Sequence, residues 1–328
     1  MLKVGVIGAG VMGEHHIRNY KSMKVDLVGI ADPNEDRLNS ISSKYDVKGF
    51  NDYKELLEED IDAINIVVPT CFHKDVSLNC IVKGIDLLVE KPISDTVSNA
   101  KIMIDAAKEN DVRMTIGHIE RFNPIVDYIK NIIDKQKIGK VVNIQCTRVG
   151  PHNPRIRDVG IITDLGIHDI DLMNYLLNNS PVSVSACAGI VCHPHSDHAS
   201  IQLRYSNDQS GNIEANWLTP IKIRRITVIG TEGVIFGNCL TKEVEAHFNN
   251  SIKKYSDTEE PLKLELEHFI GALKHNREFI ITPEQAKSNL LIVEAALKSY
   301  KEQREIHVKK DNCSWNGVRR DTRSCHVC

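Results

Sequence analysis

The chain has 328 residues, 41% of them apolar, and 41 basic against 44 acidic side chains leave a net charge of −3. That length exceeds what a single core usually serves and points to two domains. The near balance of charge, with no long basic run, argues against a nucleic-acid or anionic-membrane surface and for a small-molecule partner.

Met1-Leu2-Lys3 leads straight into an apolar segment with no signal-peptide pattern, and no apolar run approaches the roughly 20 residues that span a bilayer. Cys71, Cys80, Cys146, Cys187 and Cys239 stand singly within strand and helix patterns, as reduced thiols do. The expected location is cytoplasmic, with no membrane partner.

Leu2 to Ile7 and Val25 to Ala31 are short apolar runs separated by a helix-length segment, a βαβ unit. Helices are expected over Asn34 to Tyr45 and Asp52 to Leu57, then an unbroken apolar strand over Ile61 to Val68, stopped by Pro69. The alternation continues with a helix over Phe72 to Lys83, a strand over Ile85 to Val89, a helix over Ser94 to Asn110 and a strand over Val112 to Ile116. This is the pattern of a Rossmann-type, doubly wound parallel α/β sheet.

Beyond Gly117 the pattern changes. A helix is expected over Pro124 to Asp134, a strand over Val141 to Val149, a Gly/Pro-rich loop over Gly150 to Gly160 and a helix over Ile162 to Leu177. Strand candidates follow at Val182 to Val191, Ala199 to Tyr205, Asn212 to Leu218, Ile223 to Ile229, Val234 to Phe236 and Val244 to Phe248, joined by turn residues that favour antiparallel neighbours. Two helices, Leu262 to His275 and Pro283 to Lys301, close the fold. The expected division is a dinucleotide-binding domain over 1–120, a substrate and oligomerisation domain over 121–308 whose final helix packs back on the first, and a disordered tail over 309–328.

The glycine-rich run Gly8-Ala9-Gly10-Val11-Met12-Gly13 follows a strand and opens a helix, the context in which such a run holds a dinucleotide pyrophosphate. Asp32, ending the second strand, stands where a carboxylate accepts both ribose hydroxyls and repels a 2′-phosphate, which favours NAD over NADP; an Asp that opens a turn and caps the next helix fits the same position. Arg37, one turn further on, either contacts adenine or tolerates a phosphate. Val68, Pro69 and Thr70 either line the cofactor or simply end a strand, and His73 either faces the cofactor or is a solvated helix-start residue.

Glu90-Lys91-Pro92 ends an apolar strand at the edge where α/β sheets bind ligands. Adjacent residues there point to opposite faces, so one of Glu90 and Lys91 faces the cleft; a cis peptide before Pro92 suits such a turn. In Thr163-Asp164-Leu165-Gly166-Ile167-His168, Asp164 and His168 are four apart and share a helical face. The histidine can take a proton from a substrate hydroxyl, and Asp164 can hold a sugar hydroxyl or orient the imidazole. Gly166 would let a nicotinamide approach. The ligand-dense run Cys192 to His198 sits on one turn, whereas structural zinc draws its ligands from two elements, so no metal is expected.

The glycine run, Glu90-Lys91-Pro92, Gly117-His118-Ile119-Glu120-Arg121-Phe122-Asn123-Pro124 and Asp164-x-x-x-His168 together resemble the Gfo/Idh/MocA oxidoreductase family over residues 2–308. The resemblance implies a C-terminal α/β domain with a large open, mostly antiparallel sheet that forms the interface of a homo-oligomer, a dimer or tetramer. It implies Lys91 on the reacting hydroxyl, Asp164 on substrate or cofactor and His168 as general base, with Glu90 and Lys91 also counted among the cofactor contacts. Within the family, the 117–124 and 164–171 stretches are most similar to nucleotide-sugar 3-dehydrogenases acting on UDP-N-acetylglucosamine. Arg121, Asn123, Arg155 and Arg157 are then candidate substrate contacts, although Asn123-Pro124 also reads as a helix N-cap and the loop arginines as solvated. A dehydrogenase of a free polyol or glucoside keeps the same fold, as does an NAD-binding regulatory protein without chemistry.

Overall fold

A computed structural model describes residues 1–152, 159–309 and 315. They form two compact units, 1–119 with 262–287 and 120–261 with 288–309 and Trp315.

The first unit runs β1 (Lys3–Ile7), α1 (Val11–Lys21), β2 (Asp26–Ala31), α2 (Glu35–Tyr45), β3 (Gly49–Phe50), α3 (Tyr53–Leu56), β4 (Ala63–Ile66), α4 (His73–Val82), β5 (Asp86–Glu90), α5 (Val97–Glu109) and β6 (Met114–Gly117). The strands are all parallel, in the order β3-β2-β1-β4-β5-β6. Val4, Val6, Ile64, Ile66, Leu87 and Leu88 have no exposed surface, as strands covered on both faces require. Strand order reverses between β1 and β4, so the ligand crevice of such sheets opens just past Ile7 and Ile66. Asn34, Asp52 and Thr96 cap α2, α3 and α5 with side-chain oxygens. The two-residue β3 carries no apolar run and left no mark in the sequence.

The second unit opens with α6 (Pro124–Asp134) and β7 (Val141–Pro151), then a π-helical turn, Ile162–Gly166, that runs into α7 (Ile167–Leu177). It continues through β8 (Ser183–Gly189), β9 (His198–Arg204), β10 (Ser210–Asn216), β11 (Leu218–Gly230), β12 (Gly233–Asn238), β13 (Glu243–Phe248) and β14 (Ser251–Ser256). After α8 (Pro261–Lys274) and α9 (Pro283–Glu302) comes β15 (Ile306–His307).

The sheet order is β14-β13-β12-β11-β7-β10-β9-β8-β15, with β7 and β10 parallel and every other pair antiparallel. In β9, Ala199, Ile201 and Leu203 are buried while Ser200, Gln202 and Arg204 are exposed. That alternation is expected of a sheet packed on one face only. The packed face meets Ile125 and Ile129 of α6, Ile170 and Met173 of α7, and Ile292 and Val293 of α9. Strand β14 escaped the sequence reading because Ile252 is its one aliphatic residue; Lys253 and Lys254 give this edge the charge that discourages further pairing.

Residues 262–287 return to the first unit, so the element that rejoins it is α8 with the opening of α9, where the sequence had pointed to the final helix. Leu262, Leu266 and Phe269 form one apolar stripe on α8 that packs with Val4, Val6, Ile17 and Tyr20. Thr115 Oγ1 on β6 also donates to the Ile281 carbonyl at 2.8 Å. The tail is ordered at Trp315, which is 4% exposed and donates through Nε1 to Ser180 Oγ at 2.6 Å. No described helix is long and apolar enough to cross a membrane, and the described cysteines are free thiols.

Strand β7 sits between β11 and β10, and its Ile144 is fully buried in the second unit's core. Ile144→Ala is expected to destabilise that unit by about 2–5 kcal/mol through lost burial and a residual cavity. Denaturant unfolding followed by the fluorescence of Trp217, which lies in the same core, measures it.

Candidate active site

The turn from β1 into α1 is shaped by glycines that cannot carry side chains. Gly8 has φ +104°, and a Cβ there would lie 2.4 Å from the Val67 carbonyl oxygen; a Cβ on Gly13 would lie 1.8 Å from the Gly8 oxygen. At Gly10 the same atom would meet only Arg37 Nη1, at 3.7 Å, and no side chain caps α1 there. The result is an open, close-approach cradle on a helix N-terminus, leading into Val11 and Met12, where amide N–H groups and the helix dipole favour an anion.

Asp32 is buried, and its carboxylate accepts the Ala9 N–H at 2.9 Å and the Asn34 N–H at 2.9 Å. Arg37 Nη1 reaches the same carboxylate at 3.4 Å. Asn34, not Asp32, caps α2. Asp32 is therefore tied to the glycine loop itself.

Val68 and Pro69 follow β4, and Thr70 opens a 3₁₀ turn into α4. His73 is neither solvated nor turned to a ligand. It is 1% exposed, with Nδ1 2.9 Å from the Pro92 carbonyl and Nε2 3.0 Å from the Val68 carbonyl. Burial pushes its pKa down. It joins the segment after β4 to the turn after β5, and its helix-start position in the sequence concealed that.

Lys91 is the first residue after β5, half-buried, and the Lys91–Pro92 peptide is cis. Glu90 turns inward. Its Oε1 lies 3.1 Å from His16 Nε2 on α1, and its Oε2 accepts the Lys91 N–H at 3.2 Å. Burial pushes the Glu90 carboxyl up, but His16 and then Lys91 outweigh it and hold the group below the usual carboxylate range.

In the second unit, α7 is buried along most of its length. From Ile167 to Leu176 every residue is buried but His168, and Asp164 in the preceding π-helical turn is half-buried too. The expected uniform α-helix is thus replaced at its start by a wider turn, a feature frequent at functional sites. A Cβ on Gly166 would come within 3.2 Å of Ile201 Cδ1, so the glycine also serves packing.

The charges flanking His168 point inward. Asp169 accepts Arg148 Nε and Nη2 at 3.0 and 2.8 Å, and Arg148 Nη1 donates to Glu120 at 2.7 Å. Burial pulls the Arg148 pKa down, but Asp169 and Glu120 outweigh it and hold the guanidinium above its ordinary range. Arg224 Nη1 donates to the same Glu120 oxygen, Oε1, at 3.2 Å.

Arg121 is 1% exposed and donates to Asp171 from Nε at 2.9 Å and Nη2 at 2.6 Å, with its guanidinium between the rings of Tyr175 and Trp315. Asn289 donates to the same carboxylate at 2.6 Å. The sequence had offered Arg121 and Asn123 as substrate contacts. Burial and full pairing make Arg121 an anchor of α7, and Asn123 is the α6 N-cap, its amide donating to the Cys239 carbonyl at 3.1 Å. Arg155 and Arg157 lie outside the described residues. The polar loop before β9 is organised by Asp197, which accepts the Val191, Cys192 and His193 amides; burial opposes ionisation, yet these donors hold its pKa at about 2.

His16, Glu120, Arg148, Asp169 and Asp171 were not singled out by the sequence reading. One signal was available for the last two: two acids inside an otherwise apolar helix, which a packed core tolerates only when they are paired.

The model of an oxidoreductase family with an NAD-binding Rossmann fold, GFO/IDH/MocA, matches residues 2–118, and the GFO/IDH/MocA C-terminal domain matches residues 126–236. The chain belongs to the GFO/IDH/MocA oxidoreductase family. It is 30% identical over 227 residues to a UDP-N-acetylglucosamine 3-dehydrogenase of Acidithiobacillus ferrooxidans, covering 69% of this chain and 71% of the relative. It is 28% identical over 322 residues to scyllo-inositol 2-dehydrogenase (NAD(+)) of Bacillus subtilis, covering 92% and 94%. A solved structure of the Acidithiobacillus enzyme matches with a TM-score of 0.86 at 25% identity, over 92% of this chain and 98% of that one. As a GFO/IDH/MocA member the chain is an NAD-binding oxidoreductase, and the glycine cradle with Asp32 fits that cofactor.

If Arg121 anchors α7, Arg121→Ala strands the Asp171 carboxylate in the core and should cost about 3–5 kcal/mol of stability. Chemical denaturation checks this. A normal unfolding midpoint together with weakened substrate binding would instead return Arg121 to the role of a ligand contact.

Proposed function

We propose that this GFO/IDH/MocA member oxidises a secondary hydroxyl of a sugar, specifically C3 of UDP-N-acetylglucosamine, giving the 3-keto sugar. The observation that carries the catalytic part is His168, the one side chain of residues 167–176 that is not buried. A helix so thoroughly anchored, with this one side chain half-buried, is suited to hold a base in place. Similarity to the Acidithiobacillus 3-dehydrogenase supports the substrate.

Gly8, Gly10, Val11, Met12 and Gly13 would hold the cofactor's pyrophosphate, Asp32 and Arg37 its adenosine end, and Val68, Pro69 and Thr70 its central section. Bound NAD supplies the hydride acceptor. His168 takes the hydroxyl proton, since an imidazole titrates close to neutral pH. Lys91 donates to the same oxygen and stabilises the negative charge that grows on it. Asp164 holds a neighbouring hydroxyl or orients the imidazole. Cytoplasmic location and a homo-oligomer built on the open sheet complete the reading.

A second substrate class, a free polyol of the inositol type, is favoured by one observation. The scyllo-inositol enzyme aligns with 92% of this chain, against 69% for the nucleotide-sugar enzyme.

Lys91→Ala and His168→Ala should each lower kcat by about 10²–10⁴-fold while NAD binding, read by fluorescence titration, is retained. Following reduced-cofactor absorbance with a panel of nucleotide sugars and free polyols, using NAD and NADP, tests the substrate. Turnover of UDP-N-acetylglucosamine with NAD is the expected result, and turnover confined to a free polyol transfers the assignment to the second class.

A further inference from the structure

A line of buried polar groups runs under the glycine cradle of the first unit. Tyr20 Oη on α1 donates to Asn65 Oδ1 on β4 at 2.8 Å, and Asn65 Nδ2 lies 2.7 Å from His16 Nδ1. His16 Nε2 then lies 3.1 Å from Glu90 Oε1. His16 and Asn65 have no exposed surface and Tyr20 is 1% exposed.

The orientation of the Asn65 amide sets the order of donors and acceptors. With Asn65 accepting from tyrosine, its amide donates to His16 Nδ1, which must then be a lone pair, and the imidazole carries its proton on Nε2 and donates it to Glu90. Each bond polarises the next toward the carboxylate.

The surroundings of Glu90 single out His16. The titratable and charged groups facing Glu90 are His16 from α1, Lys91 from its own strand end and His73 from α4. Strand β6 contributes Gly117, where a Cβ would lie 3.1 Å from the Glu90 carboxyl carbon, so the carboxylate lies across a position kept bare. At the other end of the line Tyr20 faces Glu265 of α8. Asn65 interrupts an otherwise apolar strand, which costs stability unless its amide is satisfied, and this line satisfies it.

We propose that His16 is a positioning residue for the reaction: oriented by Asn65 and Tyr20, it holds Glu90 ionised against the Lys91 backbone and so fixes Lys91 where it acts. This rests on the reading of Lys91 given above. His16 lies on α1, the helix whose first turn forms the cradle, so one helix serves the cofactor's phosphates and the lysine. No proton crosses the line during turnover; its task is to keep one carboxylate charged and in place.

The test compares His16→Phe, which fills the site without a donor, with His16→Gln, whose amide can still donate to Glu90. Carbon-13 NMR of labelled glutamate, on the protein without added cofactor, reads the pH at which Glu90 titrates, with Glu90→Gln identifying the resonance. Loss of the donor should raise that pH by about one unit in the Phe variant. The same variant should lower kcat by about 10²-fold through the misplaced Lys91 while NAD binding is retained, and Gln should restore both the titration and kcat toward wild type.

An unmoved Glu90 titration in the Phe variant, or equal shifts in Phe and Gln, overturns the proposal. Should the Phe variant fail to fold, Glu90→Gln decides by itself. It is expected to lower kcat by about 10²-fold across the pH range with NAD binding retained, and an unchanged kcat overturns the proposal. Full turnover in Lys91→Ala would instead overturn the reading of the site, whereas an inactive Lys91→Ala beside a flat His16 series sinks only the inference.

Discussion

A carboxylate removed from water must be paired or it will not stay ionised, and both proposed catalytic groups are held by that constraint. Glu90 precedes Lys91 and is met by His16. Asp169 follows His168 and is met by Arg148, while Asp171 one step further is met by Arg121. In each unit the residue expected to touch substrate is exposed only in part, and its sequence neighbour is held by an inward partner, Glu90 by His16 and the buried Asp169 by Arg148. The orientation of the working side chain is inherited from that neighbour.

The arrangement around α7 goes further than a single pair. Asp169 and Asp171 are two apart on a helix and therefore face different directions, so pairing both fixes its rotation as well as its position. Glu120 bridges Arg148 and Arg224, and Asn289 from α9 completes the Asp171 site. A purely apolar face would bury as well, but methyl groups tolerate a slide that directional hydrogen bonds do not. The π-helical turn at 162–166 then delivers Asp164 beside this anchored segment.

The cradle proposed for the cofactor is defined by shape. Gly8 and Gly13 let β1 and α1 approach until no side chain would fit between them, and the reversal of strand order beside β1 opens the crevice that this turn faces. Asp32 is drawn into the same turn through the Ala9 amide. His73 links the ends of β4 and β5 through backbone carbonyls, so the segments bearing Val68 and Lys91 are fastened together.

By itself the sequence determined the alternation of strand and helix, the glycine cradle and the lysine at the end of β5. All of these rest on local spacing, and unbroken apolar runs or glycines in fixed positions report local spacing faithfully. Only the tertiary structure decided which polar residues face inward. Arg121 and Asn123 look like ligand contacts in sequence because both are polar and follow a strand end, yet one pairs with Asp171, 50 residues away, and the other caps a helix. His16 looks like any residue of an amphipathic helix until Asn65 and Glu90 are brought to it from two other strands. A side chain's partner across the fold has no period in the sequence, so its role becomes legible only when packing has chosen the neighbours.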